Sequence, residues 1–150
     1  MNKISLNGNY KLYITDGKNF DFDGVNFNGL SEPIDATVPG NVELDLMRAN
    51  LLPDLYFADN IKKAECLESK DFVYVKDFEF DSNDNCHREL VFCGVDTIAE
   101  YYLNGVKIGK SENAFVKYRF SVDNVLKNGN NRLVVHIFSS VNHAKKYEYT

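Results

Sequence analysis

The chain has 150 residues, 44% of them hydrophobic, enough for one domain that buries roughly 70% of its unfolded surface. Eleven Phe and nine Tyr favour β-structure over a helical bundle. A formal charge of −5 excludes nucleic-acid binding through a general basic surface, and the Lys62-Lys63 and Lys145-Lys146 pairs are too small to supply one.

The first ten residues, MNKISLNGNY, hold no apolar stretch of signal-peptide type, and no later run reaches membrane length. A cytoplasmic protein with no membrane partner is expected. Residues 6–15 predict a first strand with Tyr10, Leu12 and Ile14 on one face. The next stretch, 16–32, is rich in Gly, Asn and Asp yet carries Phe20, Phe22 and Phe27. It predicts a short strand between turns whose aromatic rings cap the core, with an exposed sugar-stacking platform as the sharper alternative.

A strand ending at Val38 is broken by Pro39-Gly40, a redirecting turn. Asn41 can then cap a short helix whose Glu43 and Asp45 suit the positive end of its dipole. Val42, Leu46 and Ala49 share one helical face, with Leu44, Met47 and Leu51 beside it. So broad an apolar arc on a small helix predicts cover for a sheet end or contact with another domain. Pro53-Asp54 predicts a turn. Residues 72–80 predict a strand whose Phe72, Tyr74, Phe78 and Phe80 share a face interrupted by Lys76. Residues 88–93 and 133–138 are more continuously apolar and predict central strands, which makes Cys93 an inert core thiol.

The clearest segment is 94–122. Ala99, Tyr101 and Leu103 alternate with Glu100, Tyr102 and Asn104, a period of two that sends one set inward. Asn104-Gly105, followed by Val106, fits a two-residue type I′ hairpin, in which both turn residues take positive φ. After a turn at 111–114, Val116, Tyr118, Phe120 and Val122 alternate with Lys117, Arg119 and Ser121, predicting a strand with one apolar face. Gly129 with Asn130 fits the left-handed end of a short turn over 123–127. Asp96 and Asn113 read as turn residues. The pattern is that of an antiparallel β-sandwich.

Active-site signatures are missing from the residues themselves. Cys66, Cys86 and Cys93 are odd in number and lack CxxC spacing, so reduced thiols are expected rather than disulfides or zinc. His87, His136 and His143 show neither HxH nor HExxH spacing, Ser139-Ser140 lacks a nucleophile-elbow context, and no glycine-rich phosphate loop occurs. No metal and no cofactor are expected.

The strings GVDTIAEYYLNG, YRFSV and VLKNGNNRLVVHIFSS, in that order, resemble the second half of the galactose-binding-like jelly roll that opens glycoside hydrolases of family 2. Upstream, ATVPGNVELDLMRANLLPDLYFADNIKK and DFVYVKDFEF resemble the β-mannosidase branch of that family, whose members read VPGNVHLDL, a PDP-type turn and DWVYR. The resemblance covers residues 34–140. It implies an all-β, galactose-binding-domain-like jelly-roll β-sandwich with one or two short helices. Residues 1–150 would form that single domain, cut before its last strands and before a catalytic barrel.

The function so implied is that of a non-catalytic N-terminal domain in a retaining enzyme that removes terminal β-linked mannose. The domain would pack against the barrel of its own parent chain and help shape a pocket for the carbohydrate substrate. The family's catalytic Glu pair lies in that barrel, its acid/base Glu following an Asn, and this chain contains no Asn-Glu dipeptide. No catalytic residue is therefore assigned. Asn41, Asp54, Asp59 and Asn60 fall in the region that the resemblance turns toward the barrel, and are the interdomain or pocket-wall candidates. Pro39, Gly40, Asn104, Gly105 and Gly129 are assigned to turns.

The chain departs from the family pattern by having no Trp, with Tyr10, Cys66 and Phe72 at the usual Trp positions and Val75 where an Arg is usual. Trp offers the largest stacking face and Arg a fixed hydrogen-bond fork, so direct sugar contact is the weaker part of the inheritance. The alternatives are a free-standing carbohydrate-binding module, a structural or interaction sandwich, and a parent acting on β-galactosides or β-glucuronides.

Overall fold

The computed structural model describes residues 3–16, 30–82, 84 and 86–147. In chain order the elements are β1 (Gly8–Thr15), β2 (Ile34–Val38), α1 (Val42–Arg48), a 3-10 helix (Asn60–Leu67), β3 (Asp71–Phe80), β4 (Glu89–Phe92), β5 (Ala99–Leu103), β6 (Val106–Ser111), β7 (Tyr118–Ser121), β8 (Gly129–Ile137), α2 (Ser140–Ala144) and a final 3-10 turn (Lys145–Tyr147). Six strands form one antiparallel sheet in the order β2-β1-β3-β8-β5-β6, and β4 pairs with β7 in a second, two-stranded sheet. The expected all-β architecture with short helices is present.

The sheets meet through the face that alternation assigned to the interior. Ala99, Tyr101 and Leu103 are fully buried, and Leu90, Phe92 and Phe120 of the small sheet pack onto them. Ring centroids of Phe92 and Tyr101 lie 4.1 Å apart and those of Tyr101 and Phe120 5.1 Å apart. A buried phenol needs a partner, and the Tyr101 hydroxyl finds the Ser111 Oγ at 2.8 Å. Between these rings and β6 there is no room for a side chain. A Cβ placed on Gly109 would stand 2.1 Å from the Phe120 ring, so the glycine is a seat for that ring.

Turn chemistry follows the sequence closely. Asn104 and Gly105 take φ of 53° and 83°, as a type I′ turn requires, and Gly129 takes 87°. Gly40 is needed for a different reason: a Cβ there would meet the Thr37 carbonyl oxygen at 2.3 Å.

Three readings are corrected. Residues 88–93 do not supply a central strand: β4 covers Glu89–Phe92, belongs to the two-stranded sheet, and points Glu89, Val91 and the adjacent Cys93 to solvent. The run reads as buried because two of its outward positions, Val91 and Cys93, are themselves apolar, and Cys93 is accordingly exposed rather than core. The strand expected from Val116 begins at Tyr118, leaving Val116 and Phe115 exposed in the preceding turn, while Val122 just beyond it is buried as expected. In α1, Ala49 ends the helix at the surface instead of sharing the inner face with Leu46, while Asp45 in the first turn is buried.

Strand β3 is apolar on both faces. Phe72, Tyr74 and Phe78 face the sandwich interior, whereas Val73 and Val75 join Val134 in a second cluster beneath Tyr13, Leu30 and Tyr102. The strand is held between β1 and β8. Phe20, Phe22 and Phe27, expected to cap the core, lie outside the described residues.

Candidate functional site

The four candidates from the sequence are not one constellation. Asn41 caps α1, its Oδ1 accepting from the Leu44 N–H at 2.9 Å. Asp54, Asp59 and Asn60 sit further on, in the arm joining α1 to β3. There the Asp54 Oδ1 accepts from the Tyr56 N–H at 2.9 Å, and the Asn60 Nδ2 donates to the Asp54 carbonyl at 2.8 Å. These bonds close a turn over 54–60, to which the Phe57 N–H donating to the Asp54 carbonyl also contributes. Asp59 is exposed and pairs with Lys62 at 2.9 Å. Three of the four therefore build one exposed turn, and Asn41 serves the helix before it.

That turn presents apolar groups. Tyr56 is 85% exposed and Phe57 70%, and Leu51 and Ile61 on either side are also mostly exposed. Leu55 between them is buried and anchors the arm.

Asp45 shows what the helix start is for. At 1% exposure, its Oδ1 accepts from the Arg48 guanidinium at 2.8 Å and from the Thr37 N–H at 3.3 Å, tying α1 back to β2. Burial, with the Asp45 and Glu43 charges adding to it, pushes the Tyr74 phenol well above its ordinary range. Burial alone takes Tyr10 to about 12.

Two polar networks went unread in the sequence. The Asn104 Nδ2 donates to the carbonyl of Val125 and to the Asn131 Oδ1, both at 2.8 Å, while its Oδ1 accepts from the Arg132 N–H. Asn131, buried, binds Lys127 through both side-chain atoms. The second joins the end of β8 to the start of β3: the His136 Nε2 and Asp71 Oδ2 lie 2.9 Å apart, and the Asp71 Oδ1 accepts from the Ser139 N–H at 2.8 Å. The Ser139 Oγ donates to the Glu68 carbonyl. The second network left one sign in the sequence, His136 inside the apolar run of β8, whereas Asn131 sits among Gly129, Asn130 and Arg132 and left none.

A shallow cavity of about 400 Å³ lies beside Ser82, Asp84, His87, Arg88, Asp123 and Asn128. Its guanidinium is committed to the loop, donating to the Cys86 and Asp84 carbonyls, the Ser82 hydroxyl and the Asp84 carboxylate. A hydrogen bond from His87 to Asp123 raises the imidazole above its usual range, with Glu89 adding to the effect. These groups hold the loop onto the small sheet.

The carboxylates bear on catalysis. A glycosidase acid must keep its proton near neutral pH, which requires a raised pKa. Among the described residues, every carboxyl group with a resolved shift moves the other way. Asp77 is lowered by its hydrogen bond from Arg132, Asp84 and Asp123 by backbone N–H donors, and Glu112 by Lys110. In Glu100 burial pushes upward, but Lys107 and Tyr102 outweigh it. Nor is there, among the described residues, a group of three or more His, Cys, Asp or Glu placed to hold a metal ion. No helix is long and apolar enough to cross a membrane.

Known proteins resemble this chain along most of its length. The β-mannosidase of Rattus norvegicus is 36% identical over 112 residues, covering 73% of this chain, and that of Bos taurus 32% identical over 126 residues, covering 83%. The chain spans only 13% of the length of each of these relatives. Among solved structures, the β-D-mannosidase of Dictyoglomus thermophilum superimposes with a TM-score of 0.84 at 32% identity, over 99% of this chain and 18% of that one. A β-glucuronidase of Ruminococcus gnavus shares the fold at a TM-score of 0.63 and 24% identity, over 91% of this chain and 21% of its own. The family described as glycosyl hydrolase 2 galactose-binding domain-like matches residues 21–150, more than half of the chain. By that match the chain belongs to the glycosyl hydrolase 2 galactose-binding domain-like family.

Proposed function

We propose that residues 1–150 form the non-catalytic N-terminal domain of a cytoplasmic, retaining β-mannosidase, packing against the catalytic barrel of the same parent chain and helping to wall its pocket. The observation that carries this reading is the 0.84 TM-score over 99% of the chain with a β-mannosidase at 32% identity. Asn41, Asp54, Asp59 and Asn60 are the polar groups offered to the barrel, and terminal β-linked mannose is the substrate of the whole enzyme.

The test is hydrolysis of an aryl β-mannoside by the full-length protein, with the anomer of the first-formed sugar followed by NMR. Release of β-mannose by the whole protein and none by residues 1–150 is the expected result. Preference for a β-glucuronide or β-galactoside would overturn the specificity, and turnover by the domain alone would overturn the assignment of a scaffold.

A further inference from the structure

We infer that His87 is a proton-operated clasp on the two-stranded sheet, drawing the entry of β4 and the exit of β7 together through Glu89 and Asp123 as the solvent turns acidic. The sheet it serves is small. Its ladder pairs Glu89 with Ser121, Leu90 with Phe120, Val91 with Arg119 and Phe92 with Tyr118, and goes no further. A ribbon of two strands is marginal in water by itself. This one is held by the packing of Leu90, Phe92 and Phe120 onto the large sheet, and by whatever ties its ends.

His87 stands at one of those ends, two residues before β4, and faces Asp123, two residues beyond β7. Its Nδ1 hydrogen-bonds the Asp123 Oδ2, and its Nε2 lies 3.7 Å from the Glu89 Oε1, an ionic contact rather than a hydrogen bond. A neutral imidazole has a single N–H, so one ring nitrogen must turn a lone pair toward a carboxylate. An imidazolium offers an N–H to each side. The site therefore favours the protonated ring on geometry, and the hydrogen bond to Asp123, with both carboxylate charges adding, lifts the ring above its usual range.

The neighbouring charges are already engaged. Glu89 shares its Oε2 with the Arg119 guanidinium of β7 at 3.2 Å, and Arg88 binds the Asp84 carboxylate. Asp123 otherwise takes neutral donors, the Arg88 N–H at 2.7 Å and the Ser121 hydroxyl at 3.4 Å. Asp81 and Cys86 complete the titratable groups of the loop before β4. Loss of the His87 proton thus leaves Asp123 without its cation at the end of the ladder where Glu89 and Ser121 pair. The clasp is fully engaged below pH 6.5, the ring's ordinary value, and is released as pH rises through the higher folded value. Carboxylates ordinarily stay ionised throughout that interval, so the ring is the member of the clasp that changes. At 61% side-chain exposure the ring exchanges its proton freely with solvent, and the same exposure confines the effect to local opening of the small sheet.

Hydrogen exchange of the full-length protein, followed by mass spectrometry over peptides spanning residues 86–93 and 117–123 and corrected for the intrinsic pH dependence of exchange, reads the clasp directly. Protection of β4 and β7 should be about two- to five-fold lower at about pH 8 than at about pH 5.5, the range that exposed ion pairs supply. His87→Gln, which keeps a donor but takes up no charge, should remove the difference. Asp123→Asn, which keeps an acceptor for the Arg88 N–H, should do the same, and His143→Gln should leave the difference intact. Equal protection at the two pH values in the unsubstituted protein would overturn the inference. So would a difference that survives either substitution at the clasp, which would place the titrating group elsewhere.

Discussion

Replacing Gly109 with Ala tests the claim that this glycine exists to seat Phe120. The added Cβ would lie 2.1, 2.4 and 2.6 Å from three atoms of the ring, inside any real contact distance. The ring cannot turn away cheaply, because Tyr101 and Phe92 hold it at centroid separations of 5.1 and 6.0 Å. Gly109 is not among the glycines at positive φ, so alanine meets no backbone obstacle and the whole cost is steric. Overpacking of this kind costs about 1–3 kcal/mol. For a chain of this size that is roughly 2–12 °C in Tm. Urea unfolding followed by tyrosine emission, which has no Trp to obscure it, gives the midpoint. Phe120→Leu alone leaves a void and destabilises by about 1 kcal/mol. Combined with Gly109→Ala, however, it removes the clash, and the double variant should lose at least about 1 kcal/mol less than the sum of the singles. A Gly109→Ala midpoint within about 0.3 kcal/mol of the parent, or strictly additive costs, would refute the reasoning.

Asn104→Ala should cost about 2–4 kcal/mol, because alanine pays for positive φ and abandons three hydrogen bonds, whereas Asn104→Gly keeps the turn and should cost less; urea midpoints give the order. Asp71→Ala leaves the Ser139 N–H and His136 without this acceptor and should cost about 2–4 kcal/mol, with amide exchange across Ser140–Ala144 rising first. The Arg132 guanidinium grips Asp77 through two bonds of 2.5 and 2.6 Å and lowers its pKa below 3.8, so the native state binds fewer protons than the unfolded one. That contribution is present above pH 3.8 and is lost as pH falls through the lower folded value; solvent exposure of the pair holds it to about 0–1 kcal/mol, and Arg132→Gln should flatten this part of the acid limb of a stability profile. NMR titration should find the His87 imidazole protonating above 6.5, with Asp123→Asn bringing the midpoint down.

The legible parts of the fold were those written locally. Asn104-Gly105 announces its turn in two residues, and the alternation of Ala99, Tyr101 and Leu103 assigns their face without reference to any partner. Asn41 likewise declares itself as a cap within a span of four residues. What could not be read depended on distant neighbours or on ambiguous polarity. The run through β4 places Val91 and Cys93 outward, and hydrophobicity alone cannot separate such a strand from one buried on both sides. Asp45 reads only as a first-turn acid suited to the helix dipole, and its bond from the Thr37 N–H of β2 is invisible until the chain folds back. Asp71 and His136 are 65 residues apart, so their pairing has no local signature. At the candidate site the sequence pointed to the right loop through Asp54, Asp59 and Asn60. It passed over Tyr56 and Phe57, which are exposed only because the turn closes beneath them.

The three exposed thiols change how this molecule can be studied. Cys66 follows the displayed tip of the arm by less than ten residues, while Cys86 and Cys93 flank β4 on the opposite sheet. Once Cys86→Ser removes the third exposed thiol, labels at the native Cys66 and Cys93 span from the arm to the small sheet. Native chemistry thus offers a molecular ruler within this one domain, from the arm to the small sheet.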